Sequence, residues 1–283
     1  MRVYNKWCIA LIITTICFYV IYFICFGRRY NHNSIETFET GSIITNDLYV
    51  RFYEKVFSQQ EAFVENIRKI SNYIDNSNSL NILDIGTGPG RHYELLVTKY
   101  KNVTGIDRIP EFIDRAKIRN PDGKFVVGDV ATSGLFEENT FSHITCFFDT
   151  IHHNTLDSKQ IIFRNINKWL KPGGILFINF MIKDKLDPAP REFSRYFYDE
   201  HKNRHSLTYF ENITHDAWWT DETYHEQYIN KDGKSFVKVH KLHIEKVEEL
   251  CILLKNSGFK LVDVLDYNNF DIQDMVLCIA KKQ

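Results

Sequence analysis

Short apolar runs alternate with stretches of helical periodicity from residue 81 to the end of the chain. The runs are Asn81–Ile85, Val103–Ile106, Phe125–Val127, Ile144–Phe148, Ile175–Phe180, Phe259–Leu265 and Met275–Ala280. They are rich in β-branched and aromatic residues, as expected of strands that are buried on both faces. The intervening stretch Pro110–Arg119 begins with proline, and Ser158–Leu170 is closed by Pro172-Gly173, both typical helix boundaries. The alternation predicts a doubly wound α/β sheet with helices on both faces.

A glycine-rich turn joins the first of these strands to the helix that follows. It reads Ile82-Leu83-Asp84-Ile85-Gly86-Thr87-Gly88-Pro89-Gly90. Glycine lets the backbone approach a ligand closely, and a helix N-terminus presents free N–H groups. Many nucleotide-binding proteins share such a turn, so its spacing has to decide between them. A dinucleotide fingerprint would place its third glycine where Arg91 stands, and the spacing therefore disfavours a dinucleotide site.

The pattern Asp84-x-Gly86-x-Gly88-x-Gly90 resembles the first motif of class I methyltransferases, which use S-adenosylmethionine. The chain is similar to the methyltransferase type 11 group over roughly residues 47–180 and 244–283. In that family the turn wraps the methionine part of the cofactor. Asp107 matches the acid that accepts hydrogen bonds from both ribose hydroxyls, and Gly128-Asp129-Val130 matches the segment that binds the adenine amino group.

The resemblance implies the details of the fold and of the cofactor site. It implies a seven-stranded, mostly parallel sheet whose last strand is antiparallel, with S-adenosyl-L-methionine as the cofactor. The implied cofactor-binding residues are Asp84, Gly86, Thr87, Gly88, Gly90, Asp107, Arg108, Asp129, Val130 and Phe148.

The segment Phe141–His153 resembles the family's fourth motif, which ends beside the transferable methyl group. His152 and His153 are candidate general bases because imidazole titrates near neutral pH. The alternative is that one of them packs and the other forms a local hydrogen bond. Asp149 is expected to border the methyl donor and the acceptor, the alternative being a helix cap. The predicted catalytic residues are thus Asp149, His152 and His153, and no metal site is expected.

Residues 181–243 interrupt the alternation of strands and helices. Glu222–Ile229 and Ser235–Leu242 flank Asn230-Lys231-Asp232-Gly233, which predicts a β-hairpin with Asp-Gly at its turn. The insertion is also rich in aromatic residues, among them Trp218 and Trp219. It is interpreted as a lid over an apolar or ring-shaped acceptor, with a small core of its own as the alternative.

Residues 1–29 are predicted to anchor the chain in a membrane. The run Trp7–Gly27 carries no charge. At about 1.5 Å per residue in a helix, it is long enough to cross a hydrocarbon layer of roughly 30 Å. A cleaved signal peptide would have a shorter apolar core, and a buried helix would carry a polar face. Residues 30–46 are predicted to be a flexible linker and residues 47–283 a methyltransferase domain.

The positions of the cysteines and the balance of charge limit the expected localisation and partners. The cysteines beyond the anchor lie in apolar runs, which favours reduced thiols and a single-pass membrane protein whose domain faces the cytosol. The chain has 35 Lys and Arg against 36 Asp and Glu, and four of the basic residues lie within the first 30. The remainder is acidic, which argues against a nucleic-acid partner.

The favoured function is methyl transfer to a small-molecule or lipid-like acceptor near a membrane. The alternatives are a methyltransferase that acts on protein or RNA, and a non-catalytic membrane protein that binds S-adenosylmethionine. The sequence leaves the oligomeric state open.

Overall fold

The computed structural model describes residues 35–38, 50, 60–75, 80–185, 205–209, 213–220, 223–229, 235–267 and 274–283. Its helices are α1 (Gln60–Ser71), α2 (Arg91–Val97), α3 (Pro110–Arg119), α4 (Leu156–Trp169) and α5 (Val247–Asn256). Its first strands are β1 (Ile35–Phe38), β2 (Ile82–Ile85), β3 (Val103–Asp107), β4 (Lys124–Val127), β5 (Phe141–Cys146) and β6 (Leu170–Met181). The later strands are β7 (His205–Tyr209), β8 (Ile213–Thr220), β9 (Thr223–Ile229), β10 (Ser235–Lys241), β11 (Phe259–Asp266) and β12 (Met275–Lys282).

Seven strands form the main sheet in the order β11-β12-β6-β5-β2-β3-β4. The pairs among β6, β5, β2, β3 and β4 are parallel, whereas β12 is antiparallel to both of its neighbours. The predicted doubly wound, mostly parallel sheet with an antiparallel last strand is confirmed. The burial pattern explains the topology, because β2 is buried at all four of its positions, as a central parallel strand must be.

Helices cover both faces of this sheet and create two core clusters. One cluster joins α4 and α5 to the sheet, with Phe163, Trp169 and Leu254 among its buried members. The other joins α1 and α2 to the opposite face and includes Ile70 and Leu96. Local signals place the helix ends, since Pro110 opens α3 and the Thr155 hydroxyl accepts the Ser158 N–H at the start of α4.

The insertion folds as a second sheet, in the order β1-β10-β9-β8-β7. The predicted hairpin is confirmed, because β9 and β10 pair antiparallel with Ile229 opposite Ser235. β1 joins the edge of this sheet parallel to β10. β1 lies within residues 30–46, the predicted linker, and the backbone groups along the edge of β10 supply its hydrogen-bond partners. The side chains of Trp218 and Trp219 lie outside the described part, so the lid stays a prediction.

The predicted membrane anchor, residues 1–29, lies outside the described residues. Within the ranges given above, no helix combines the length and the apolar character that crossing a membrane requires. The longest of them, α4, has 14 residues, against about 20 for a membrane span. This finding contradicts the predicted localisation as a single-pass membrane protein with its domain facing the cytosol, and we correct that localisation.

Candidate functional site

The predicted site residues meet at one edge of the main sheet. β2, β3, β4 and β5 are parallel, so their carboxyl ends lie on the same side. The order of strands reverses at β2, which lies between β3 and β5, and open α/β sheets bind ligands in the crevice at such a reversal. The glycine turn follows β2, Asp107 ends β3, and Asp129 follows β4. The segment Phe147–His153, named here the β5 turn, follows β5.

The three glycines of the glycine turn have positive φ angles of 67°, 53° and 84° at Gly86, Gly88 and Gly90. A Cβ on Gly86 would lie 2.3 Å from the Thr150 Cγ2 atom, so this glycine lets the β5 turn pack on the glycine turn. A Cβ on Gly90 would lie 3.1 Å from the Ala116 Cβ, where α3 packs closely. Among described atoms, a Cβ on Gly88 would meet nothing nearer than a carbonyl oxygen at 4.0 Å. Gly88 therefore faces space that the described residues leave open.

Asp107 is held in place by the backbone around it. Its Oδ2 accepts the Gly88 N–H at 3.0 Å, and its Oδ1 accepts the Ile109 N–H at 2.9 Å. Burial raises the pKa of Asp107, while the two N–H donors and the charges of Arg108 and His153 oppose that rise. Each carboxylate oxygen retains a further lone pair, so the group suits a ligand with two adjacent hydroxyls.

Asp84 and Thr87 lie at the base of the glycine turn and are 2% and 5% exposed. Thr145 on β5 donates to Asp84 Oδ1 at 2.8 Å. Burial raises the pKa of Asp84 to about 6; the hydroxyls of Thr87 and Thr145 oppose the rise, and the charge of Asp107 adds to it. These residues support the turn from within the sheet.

Asp129, Val130 and Arg108 lie on the β4 side of the crevice. Asp129 is exposed, and its Oδ1 accepts the Ala131 N–H at 2.8 Å. Val130 packs against the α4 side of the core, and its carbonyl accepts a hydrogen bond from the Asn165 side chain at 3.0 Å. Arg108 is exposed directly after β3. Asp129 therefore has a fixed, solvent-facing carboxylate beside the end of β4.

The β5 turn brings Asp149 and His153 together. Phe148 has a φ of 54°, an uncommon left-handed conformation for a residue other than glycine, and β5 ends at Cys146 rather than at the predicted Phe148. Asp149 Oδ2 lies 3.3 Å from His153 Nε2, with the side chains 41% and 21% exposed. Asp149 stands at the N-cap of a short helix, but its side chain makes no capping hydrogen bond. His153 Nδ1 has no hydrogen-bond partner among the described residues.

His152 has a different environment from His153. It is fully buried, and both of its ring nitrogens contact backbone groups. Nδ1 lies 3.0 Å from the His243 carbonyl oxygen, and Nε2 accepts the Met181 N–H at 3.0 Å. Burial is the main reason that the pKa of His152 is lowered to about 3. The ring joins the β5 turn to the end of β6 and to the segment that follows β10.

Sequence reasoning missed several buried polar residues behind the β5 turn. Lys159 on α4 is fully buried, and its ammonium group donates to the His243 carbonyl and to Glu245. One signal was available, because Lys159 stands three residues before Ile162 and so lies on the apolar stripe of α4. Asn66, His92, Asn179 and Tyr267 form a second buried group. No local pattern marks these four, since they come from four separate elements.

Residues 82–174 match the profile of a methyltransferase domain. This range extends from β2 into β6 and contains the glycine turn, Asp107, Asp129 and the β5 turn. The match therefore coincides with the crevice that the fold places at the strand ends.

Two curated relatives are named for methyl transfer to the nitrogen of phosphoethanolamine. The phosphoethanolamine N-methyltransferase of Plasmodium falciparum is 31% identical over 173 residues, which cover 59% of this chain and 64% of that protein. Phosphoethanolamine N-methyltransferase 1 of Arabidopsis thaliana is 27% identical over 205 residues, which cover 70% of this chain and 40% of that protein. The chain thus spans less than two thirds of the length of these relatives.

Solved structures share the fold. An S-adenosylmethionine-dependent methyltransferase from Clostridium acetobutylicum superposes with a TM-score of 0.61 at 19% identity. The superposition covers 83% of this chain and 98% of that one. At this level of identity the likeness concerns the fold alone.

Proposed function

We propose that this chain, which carries a class I methyltransferase domain, transfers the methyl group of S-adenosylmethionine to the nitrogen of a small amine. The enzyme class and the cofactor predicted from the sequence are confirmed by the methyltransferase profile and by the fold. The identity of the methyl acceptor is the new element of the proposal. The two relatives named above act on phosphoethanolamine, and an amine of that kind suits the residues at the end of β5.

The pair formed by His153 and Asp149 carries this proposal. His153 Nε2 lies 3.3 Å from Asp149 Oδ2, and both side chains are partly exposed, whereas His153 Nδ1 is buried and has no partner among the described residues. The pair lies next to the cofactor half of the crevice, because Thr150 of the same turn lies so close to Gly86 that a Cβ there would be 2.3 Å from the Thr150 Cγ2 atom. An amine needs such a base, since its ammonium form has no lone pair with which to attack.

The remaining residues bind and orient. When bound, S-adenosylmethionine supplies a methyl group that is activated by a positively charged sulfur. The open space at Gly88 and the lone pairs of Asp107 fit its backbone-contacting and hydroxyl-bearing parts. The pair of His153 and Asp149 takes the proton that the acceptor ammonium loses, so that the nitrogen lone pair is free to attack. Asp149 stabilises the imidazolium that results, and alignment of the acceptor contributes most of the remaining rate.

The second sheet approaches the same place. The rings of His153 and His240 lie with their centroids 5.6 Å apart, and His240 belongs to β10. We propose that this contact lies on the side of the crevice that binds the acceptor. The lid function predicted for the insertion remains part of the proposal.

The proposal is tested by incubating the full chain with methyl-labelled S-adenosylmethionine. Phosphoethanolamine, ethanolamine and vesicles of phosphatidylethanolamine serve as acceptors, with a peptide mixture and total RNA in parallel. We expect label on the nitrogen of a small soluble amine. Label confined to the vesicles would move the acceptor to the lipid-like class, and label confined to peptide or RNA would overturn the proposal.

A further inference from the structure

A chain of buried hydrogen bonds begins at the backbone of Phe148. The Phe148 N–H donates to Asn179 Oδ1 at 2.8 Å, and Asn179 Nδ2 donates to the Tyr267 hydroxyl at 2.8 Å. The Tyr267 hydroxyl in turn donates to Asn66 Oδ1, and Asn66 Nδ2 lies 3.2 Å from His92 Nε2. The donors and acceptors run in one direction along the whole chain. The chain of hydrogen bonds therefore connects Phe148, where the β5 turn bends, to β6, to the end of β11, to α1 and to α2.

The far end of this chain returns to Phe148. The His92 ring lies 5.1 Å from the Phe148 ring between centroids, and Phe63 of α1 lies 5.0 Å from it in an edge-on arrangement. Phe148 is thus fixed through its backbone by Asn179 and through its ring by His92 and Phe63. Burial is nearly complete, since Asn66, Asn179 and Tyr267 are 0%, 1% and 1% exposed.

The left-handed backbone conformation of Phe148 is energetically unfavourable and needs support from its surroundings. A left-handed conformation at a residue other than glycine costs about 1–2 kcal/mol and persists only where its surroundings enforce it. Phe148 pays this cost directly before Asp149, whose carboxylate orients His153. The backbone turn at Phe148 therefore sets the direction in which the next residues leave β5.

We propose that Asn179, Tyr267 and Asn66 are positioning residues, which hold Phe148 in its left-handed conformation and thereby aim Asp149 and His153 across the crevice. This inference rests on the proposed function for its catalytic consequence. The three residues act on the reaction through Phe148 and make no contact with the reacting atoms.

The hydrogen-bond chain is tested first without turnover. Tyr267→Phe removes one hydroxyl from the middle of the chain and leaves Asn179 Nδ2 with only its longer hydrogen bond, to the Val276 carbonyl at 3.4 Å, so that Asn179 holds the Phe148 N–H less firmly. Hydrogen exchange of the Phe148 amide, measured in the full chain, should speed up by about tenfold, the equivalent of one hydrogen bond. Tyr93→Phe is the matched control, because the Tyr93 hydroxyl is also buried but contacts the backbone at Lys124 and Val103. An unchanged Phe148 exchange rate in Tyr267→Phe would overturn the proposal.

The catalytic consequence is tested with the acceptor found above. In Tyr267→Phe, kcat should fall about tenfold, as expected of a misalignment of less than 1 Å, with KM for the acceptor and Kd for S-adenosylmethionine within about twofold of wild type. Tyr93→Phe should keep the wild-type kcat. An equal loss in both variants, or a matching loss of cofactor affinity, would show a general structural effect and overturn the positioning role. If the wild-type chain methylates no acceptor, the proposed function fails, and the Phe148 exchange rate alone then decides whether the chain of hydrogen bonds holds Phe148.

Discussion

The two halves of the crevice are built by different means. In the cofactor half, at the ends of β2 and β3, the backbone determines most of the geometry. Glycines with positive φ shape the turn there, and backbone N–H groups of Gly88 and Ile109 hold Asp107. In the acceptor half, at the end of β5, side chains from distant elements hold the β5 turn. His152 contacts β6 and the segment after β10, and Phe148 contacts β6 through Asn179.

The difference teaches which half tolerates variation. In the proposed function, the turn shaped by glycines binds the constant part of the reaction, the cofactor, and its shape depends on few contacts with the rest of the chain. A turn held by contacts with β6, β10 and β11 changes whenever those elements change. We therefore expect substitutions in the acceptor half to alter acceptor specificity without loss of cofactor binding.

The largest expected effect separates two adjacent residues within the acceptor half. His153→Ala removes the ring nitrogen that accepts the proton and should lower kcat by about 10²–10⁴-fold, with cofactor affinity unchanged. The measurement is steady-state methyl transfer together with calorimetric binding of S-adenosylmethionine. Asp149→Asn serves as the partner variant, since it leaves the ring in place but removes the charge beside it. If His153→Ala turns over at the wild-type rate, positioning alone carries the reaction.

A second variant tests the cofactor half in the same assay. Asp107→Ala removes a carboxylate that presents lone pairs to the ligand, and two hydrogen bonds to a charged group are worth about 3 kcal/mol or more. The affinity for S-adenosylmethionine should therefore fall by about 100-fold or more, as measured by calorimetry. Asp114→Ala, on the same helix α3 with its side chain 74% exposed, is the control for a lost negative charge nearby. If Asp107→Ala and wild type bind S-adenosylmethionine with equal affinity, the cofactor does not bind at this side of the crevice.

The same division explains how far the sequence could predict the site. The sequence could predict that the glycine turn and Asp107 lie together, because their contact is short in sequence: Gly88 follows β2, and Asp107, 19 residues later, ends the next strand, β3. The doubly wound sheet also followed from local patterns, since buried parallel strands and the helices between them each have their own signature.

The acceptor half could not be predicted to the same depth. His152 and His153 are identical in chemistry and adjacent in sequence, and their roles separate only through partners such as His243, 91 residues from His152. Asn179 and Tyr267, 88 residues apart, likewise carry no local sign of their contact. The membrane localisation was wrong for a related reason, because it rested on one local apolar run and on no contact within the fold.

The smallest effect concerns the pH dependence of stability, and it distinguishes the two halves by sign. In the unfolded chain an imidazole takes up a proton near pH 6.5. In the folded chain burial lowers the pKa of His152 to about 3, with Lys159, Asp149 and His153 as its charged or titratable neighbours. The unfolded state binds more protons in this window, so His152 contributes stability that is present above pH 6.5 and is lost as the pH falls.

Between pH 7 and pH 5 this loss amounts to about 2 kcal/mol of the free energy of unfolding. Asp84 in the cofactor half acts in the opposite direction, because burial raises its pKa to about 6 and its contribution is lost as the pH rises. The comparison must therefore be made between variants. His152→Gln, unfolded by urea at pH 7 and at pH 5, should lose about 2 kcal/mol less than wild type over that interval, although it is less stable at pH 7. Tyr93→Phe lowers stability without removing a group that titrates in this range, so it should keep the wild-type difference. If His152→Gln loses as much unfolding free energy between pH 7 and pH 5 as wild type does, burial does not lower the pKa of His152. His152 would then be as available to the acceptor as His153.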